Sequence, residues 1–232
     1  RYEKSGELTG LMRVRAFCLA DAHIMLAPDQ AADEIKRVLE LIDYANGIFG
    51  LKKGVDYRYR LSLGDRNEGK KYYKDDASWD KAEGVLRGVL KDMKAPYFEA
   101  LGGAAFYGPK IDVQMKKVSG HEETAFTVQY DFVMPKRFDM KYIDKDGKEK
   151  QPIVIHRSSI GCFERTMAFL IERYAGAFPV WLSPVQAQLI PVSAEKHGVG
   201  AMKLSEELRA LGIRSEVDDA DETVSNRVRK AG

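Results

Sequence analysis

Apolar side chains recur at three- and four-residue intervals at Ile35, Val38, Leu39, Ile42, Ala45 and Phe49. A period near 3.6 gathers them on one face of a helix, which Pro28 opens and Gly50 closes. Between residues 55 and 63 the period shortens to two, at Val55, Tyr57, Tyr59, Leu61 and Leu63, and predicts a strand with one buried face. Residues 78–93 are helical again. A small-residue segment, 101–106, leads into strand-like stretches 110–118 and 124–133 on either side of a polar turn at Gly120. The charged run 141–151 carries Asp146-Gly147, the chemistry of a hairpin tip. A short strand, 152–156, ends on His156, and residues 161–174 read as a helix. At the front, residues 11–17 are β-prone and follow the turn-forming Lys4-Ser5-Gly6-Glu7.

The pattern changes at residues 176–184, which carry Pro179 and Pro184, and a linker is expected over 177–184. Beyond it come a buried strand (185–192), an amphipathic helix (201–211) ending at Gly212, a strand (213–217) and a helix (223–230). That β-α-β-α order predicts a separate small α/β domain over 185–232, of which the front part is present. Residues 1–176, by contrast, alternate hairpin-like strands with helices. They predict an α+β fold on an antiparallel sheet rather than a doubly wound one. The chain opens without a methionine and stops straight after a helix-like stretch, so it reads as a piece cut at both ends.

Composition narrows the classes. A chain of 232 residues has room for one large domain or a domain and a half. Lys and Arg number 37 against 35 Asp and Glu, a net charge of +2, which excludes a polycation but leaves room for the local basic patch that an RNA contact needs. No apolar run approaches 18 residues and no signal-peptide pattern occurs, so no membrane association is expected. Two cysteines, Cys18 and Cys162, make no disulfide framework, and a reducing, cytoplasmic setting is expected.

Three groups of residues carry candidate chemistry. The first is the front hairpin, where alternation puts Arg13 and Arg15 on one face and Arg1 and Glu3 on one face. Guanidinium forks suit phosphates, and a carboxylate can accept from an amino group such as that of adenine. Taken alone, the same charges could equally be a solvated hairpin. The second is the pair His23 and His156, too far apart in sequence for a local metal finger. A catalytic zinc takes three protein ligands and keeps one position open, and two histidines supply two of them. Either histidine alone reads as a hydrogen-bonded core residue. The third is Glu164-Arg165, early in a helix led by Gly161, a good anion site if the arginine points back over the sheet and otherwise an exposed helical arginine.

Together these residues closely resemble the threonyl branch of the class II aminoacyl-tRNA synthetases. Arg1-Tyr-Glu3 with residues 10–15 resembles motif 2 of that class, and residues 161–165 resemble motif 3. Asp21-Ala-His23, residues 105–111 and 127–132, and Ile155-His-Arg157 resemble the threonyl enzymes within it. The tail resembles their anticodon-binding domain. The resemblance implies a ligase that joins L-threonine to the 3′ end of tRNA(Thr) through a threonyl-adenylate made from ATP. It implies that Arg1 and Arg165 are catalytic, with Arg1 on the α-phosphate, and Arg13 and Arg165 on the γ-phosphate side with Mg²⁺ bridging the phosphate oxygens. Glu3 is implied to read the adenine amino group. Asp21, Tyr107 and Gln129 are implied to line the threonine pocket, and His23 and His156 to be two ligands of one Zn²⁺ per full-length chain. A homodimer is implied for the full-length protein, and the chain by itself is expected to be inactive.

This sequence departs from the family pattern in places. The third zinc ligand of the family, a cysteine, belongs upstream of motif 2. Leu19 stands where a glutamine is usual near the substrate, Ala20 replaces an acidic neighbour, and Thr124 stands where a glutamine near the nucleotide is usual. Two other readings are compatible with parts of the pattern. One is the prolyl synthetase of the same subclass, against which His23 argues because that enzyme has a tyrosine there. The other is a non-catalytic paralogue, which Leu19 and Thr124 would favour.

Overall fold

The computed structural model describes residues 3–231 and divides into two compact units, Arg1–Arg173 and Tyr174–Gly232. The first unit contains, in chain order, β1 (Leu19–Leu26), α1 (Ala31–Ile48), β2 (Tyr57–Leu63), α2 (Asp76–Asp92), β3 (Tyr97–Leu101), β4 (Lys110–Lys116), β5 (Glu122–Asp131), α3 (Met134–Arg137), β6 (Tyr142–Ile143), β7 (Glu149–Lys150), β8 (Ile153–Cys162) and α4 (Phe163–Tyr174). Six strands form one sheet in the order β1-β8-β5-β4-β2-β3, and β6 with β7 makes the expected charged hairpin around Gly147.

The sheet is antiparallel except at one edge. β2 and β3 run parallel, and α2 provides the crossover that a parallel pair requires. β3 lies outside the sequence expectation, because five residues without strict alternation carry little strand signal. α1 and α2 cover one face of the sheet. Ile35, Leu39 and Ile42 from α1 and Trp79, Leu86 and Leu90 from α2 are fully buried against Tyr59, Leu61, Ile111, Val113, Val128 and Ile155 from the strands. Each such side chain contributes about 1.5–3 kcal/mol by leaving water. The helix α2 starts on Asp75, whose side chain accepts from the Ser78 N–H and from the Lys136 ammonium at 2.6 Å.

Two expectations change at the ends of strands. Residues 3–17 make the expected front hairpin, but with isolated bridging points in place of a continuous strand over 11–17. It is held where the Glu3 N–H donates to Arg15 O at 2.9 Å and where Thr9 and Arg13 exchange main-chain bonds at 3.0 and 3.1 Å. The long strand begins later, at Leu19. Towards the end of the unit, His156 does not close its strand, since β8 runs six residues further, to Cys162. The Ser-Ser-Ile-Gly run carries no strand signal, yet it stays extended, with Ser158 paired to both β1 and β5 and Cys162 to Leu19. Gly161 then redirects the chain into α4 at φ 69°, where an added Cβ would lie 2.4 Å from Ala125 O.

The second unit contains β9 (Ala187–Leu189), α5 (Ala194–Ala210), β10 (Ser215–Val217) and α6 (Val224–Ala231), the expected β-α-β-α order with β9 and β10 parallel. α5 starts seven residues before the predicted helix, at a Ser193 cap. Gly198 and Gly200 mask that first half in the sequence, because each weakens helix propensity by about 1 kcal/mol. Three arginines brace this unit by donating to main-chain carbonyls: Arg209 to Ser215, Arg214 to Trp181 and Ser183, and Arg227 to Pro191 and Asp218. Among the described residues no helix is long and apolar enough to cross a membrane.

Candidate active site

Strand register places the chemistry-bearing residues. With one strand face buried under the helices, every second residue of each strand is left on the opposite face. On that face the partners line up in two adjacent rows across five strands. One row reads His23, His156, Gln129, Lys110 and Ser62, on β1, β8, β5, β4 and β2. The next row, two residues along each strand, reads Asp21, Ser158, Thr127, Asp112 and Arg60. A face carrying ten polar or charged residues in register is not a packing surface.

At the β1 end the two imidazoles meet edge to face, with ring centroids 4.5 Å apart. The Nε2 of His156 lies 2.8 Å from Oδ2 of Asp131, a carboxylate with no solvent exposure. The other oxygen of Asp131 accepts from the main-chain N–H groups of Val133 and Met134, both at 2.8 Å. The Tyr107 ring lies 5.1 Å from that of His156, and its hydroxyl donates to Oε1 of Gln129. Burial pushes the Tyr107 phenol up to about 12, and the Asp131 and Asp21 charges add to the shift. The phenol therefore stays protonated at neutral pH. Gln129 in turn donates to Thr127 Oγ1 at 3.3 Å.

The middle of the site is built on Asp112, also fully buried. It accepts from Arg60 at 2.9 Å, Ser62 at 2.7 Å and Lys110 at 3.0 Å. Two cations thus surround one carboxylate, and the excess positive charge faces the open side of the sheet. Arg60 also reaches Thr124 Oγ1 at 3.3 Å, and the Thr124 carbonyl accepts from Arg165 at 2.9 Å. Arg165 makes a second bond, to Met12 O at 3.0 Å, and so ties α4 to the front hairpin. In that hairpin Arg13 pairs with Glu7 at 2.7 Å and with the nearly buried Glu3 at 3.5 Å.

The expected residues are thus brought together in two groups. His23, His156, Asp21, Tyr107 and Gln129 share the β1–β8–β5 end, while Glu3, Arg13 and Arg165 cluster at the front hairpin and the start of α4. Arg1 lies outside the described residues. Asp131, Asp112, Arg60 and Ser158 were not singled out in the sequence. An acid or a serine inside a strand carries no signal of its own, and only the register shows that each faces the site. Ser158 is buried, and its hydroxyl has no hydrogen-bond partner among the described residues. Cys162 donates from its thiol to Glu164, and burial followed by that neighbour raises its pKa, so it is a protonated thiol. No three His, Cys, Asp or Glu side chains among the described residues group as a complete metal site.

Comparison with known proteins places these features. Residues 1–174 match the tRNA synthetase class II core domain (G, H, P, S and T), and residues 186–232 match an anticodon binding domain. The chain is 50% identical over 231 residues to a threonine–tRNA ligase of Listeria monocytogenes serotype 4a (strain HCC23), and 49% identical to one of Anoxybacillus flavithermus (strain DSM 21510 / WK1). Each match covers 100% of this chain and 36% of the relative, so the chain spans about a third of the length of these curated relatives. Among solved structures, the RNA binding domain of threonyl-tRNA synthetase from Cryptosporidium parvum Iowa II superposes with a TM-score of 0.88 at 32% identity, covering 99% of this chain and 56% of that one. A putative threonyl-tRNA synthetase from Aeropyrum pernix gives 0.83 at 30% identity, covering 99% and 53%. Over its first three-quarters, the stretch that carries both polar rows, this chain belongs to the class II tRNA synthetase core family.

Proposed function

We propose that this chain supplies the adenylation and amino-acid-binding face of a threonine–tRNA ligase, followed by the front of its anticodon-binding domain. The observation that carries this reading is the His23–His156–Gln129 row with Asp21 beside it and Tyr107 against His156. It presents two imidazoles, a carboxylate, a carboxamide and a protonated phenol to a small polar ligand.

The donor set fits a zinc ion at its histidine end, since two imidazoles stand side by side on paired strands. His23 and His156 would hold the ion with a third ligand from outside the described residues. Bound there, it would supply Lewis acidity towards the amino group and hydroxyl of threonine. Asp21 accepts from that hydroxyl, Tyr107 helps to hold the amino group with Gln129 lining the pocket, and a methyl in the hydroxyl's place leaves Asp21 unmet. That matters because a purely apolar pocket separates threonine from valine by only about 10²-fold. On the nucleotide side Glu3 accepts from the adenine amino group. Arg1, Arg13 and Arg165 neutralise the phosphates of ATP together with Mg²⁺, and catalysis is then mainly orientation and charge stabilisation. Arg13 exchanges its carboxylate partners for phosphate oxygens when ATP enters. The product threonyl-adenylate passes its acyl group to the 3′ end of tRNA(Thr), whose anticodon end meets the second unit. The complete protein acts as a homodimer.

ATP–pyrophosphate exchange on the complete protein tests the reading. Threonine-dependent exchange is expected. Exchange that depends on proline points to the prolyl branch, and no exchange at all to a non-catalytic paralogue. Metal analysis tests the zinc component, expected at about one ion per chain and lost in His156→Ala. A metal-free protein with intact exchange would overturn it.

A further inference from the structure

The donor pair at the β1–β8 end is held by a residue outside the threonine pocket. Asp131 closes β5 with its side chain fully buried, and all its hydrogen-bonding capacity points in two directions. Oδ1 accepts from the N–H groups of Val133 and Met134 at 2.8 Å each, which fixes the carboxylate plane at the entry to α3. Oδ2 faces His156 Nε2 at 2.8 Å. A carboxylate anchored this way can only accept, so the proton of a neutral His156 must sit on Nε2, and the lone pair is left on Nδ1.

We propose that Asp131 is a positioning residue for metal binding: it locks His156 in the tautomer whose Nδ1 can ligate, and its charge makes that nitrogen a stronger donor. This inference rests on the zinc reading above. Outer carboxylates that orient a ligating imidazole typically contribute 10–100-fold in metal affinity.

Substitution by asparagine separates this role from a structural one. The two N–H groups of Val133 and Met134 require an acceptor, so the amide oxygen of the new side chain stays with them. Its NH₂ group is then turned towards His156, which must offer a lone pair at Nε2 and carry its proton on Nδ1. Asp131→Asn therefore keeps the turn and imposes the non-ligating tautomer. Asp131→Ala frees the ring to choose its tautomer but removes the acceptor for the Val133 and Met134 N–H groups, so it costs fold stability instead.

The experiment uses the complete protein with zinc as the probe. Chelator competition is expected to give at least a tenfold loss of zinc affinity for Asp131→Asn, with a melting temperature of the zinc-free protein close to that of the parent. Long-range ¹H–¹⁵N spectra of the zinc-free proteins are expected to show the Nε2–H tautomer for His156 in the parent and the Nδ1–H tautomer in the variant. Unchanged zinc affinity in Asp131→Asn, or the same tautomer in both proteins, overturns the proposal while leaving the ligase reading untouched. A parent protein that binds no zinc overturns both.

Discussion

A hydroxyl buried without a partner gives up its water hydrogen bonds for nothing, at a cost of about 1–3 kcal/mol. Among the described residues Ser158 is in that position, between Asp21 and Thr127 in the second polar row. Its replacement by alanine removes the unmet group and leaves only a small void. Ser158→Ala should therefore melt no lower than the parent in a thermal scan of the unliganded protein; a fall of several degrees would show that the hydroxyl is engaged after all. At this scale the sequence is legible in part. Asp21, His23, Tyr107, Gln129 and His156 could be picked out because their neighbours form short recognisable strings. Asp131 and Asp112 could not, because an acid inside a strand carries no signal of its own, and Asp131 stands unmarked even within the recognisable string 127–132. Their meaning comes from partners 25 and 52 residues away, His156 and Arg60.

Among the elements, α2 shows how one cap couples to the rest of the sheet. The Lys136 ammonium and Ser78 hold the Asp75 carboxyl down at about 2. Its unfolded value is about 3.9, so this carboxylate favours the folded state above pH 4 and loses that contribution as the pH falls towards 2. Asp75→Asn should lower the melting temperature by a constant amount at pH 5 to 7, and the gap to the parent should narrow between pH 4 and 2. A gap that does not change across that window would remove Lys136 and Ser78 as the cause. Element boundaries were the less legible part. α1, β2, β4 and β5 follow the apolar period closely, since each has one continuous buried face. β8 and α5 do not, because Ser158-Ser159-Ile160-Gly161 and the glycines of α5 look like punctuation. In both cases tertiary pairing or a cap outweighs local preference.

Across the whole molecule the division of charge matters more than its sum. A net +2 offers no general attraction for RNA, so on the proposed reading any tRNA contact would come from particular side chains. In the second unit Arg209, Arg214 and Arg227 already spend donors on main-chain carbonyls. They are braces, and on that reading a phosphate backbone would be met by other cations, such as the exposed Lys196 and Lys203. Arg227, 4% exposed, is the clearest case. Arg227→Ala leaves the carbonyls of Pro191 and Asp218 unmet and should destabilise the second unit by about 1–3 kcal/mol in denaturant melts. The slope of log Kd for tRNA against log salt should stay unchanged. A slope shallower by about one unit, with stability intact, would make Arg227 a phosphate contact.

The two polar rows exist only because five strands keep a common register, and register can change only in steps of two without exchanging the faces of a strand. This sets which changes of chain length the family can tolerate. A one-residue insertion in β8 before His156 would turn that imidazole towards α1 and carry Ile155 to the open side. No substitution nearby could repair such a change. Insertions at the tip of the β6–β7 hairpin, between Ile143 and Glu149, lengthen an exposed loop and leave every row in place. A change of length at that hairpin should therefore leave the site intact, whereas between Asp21 and His23, and from Thr127 to Asp131, only the exchange of one side chain for another should do so.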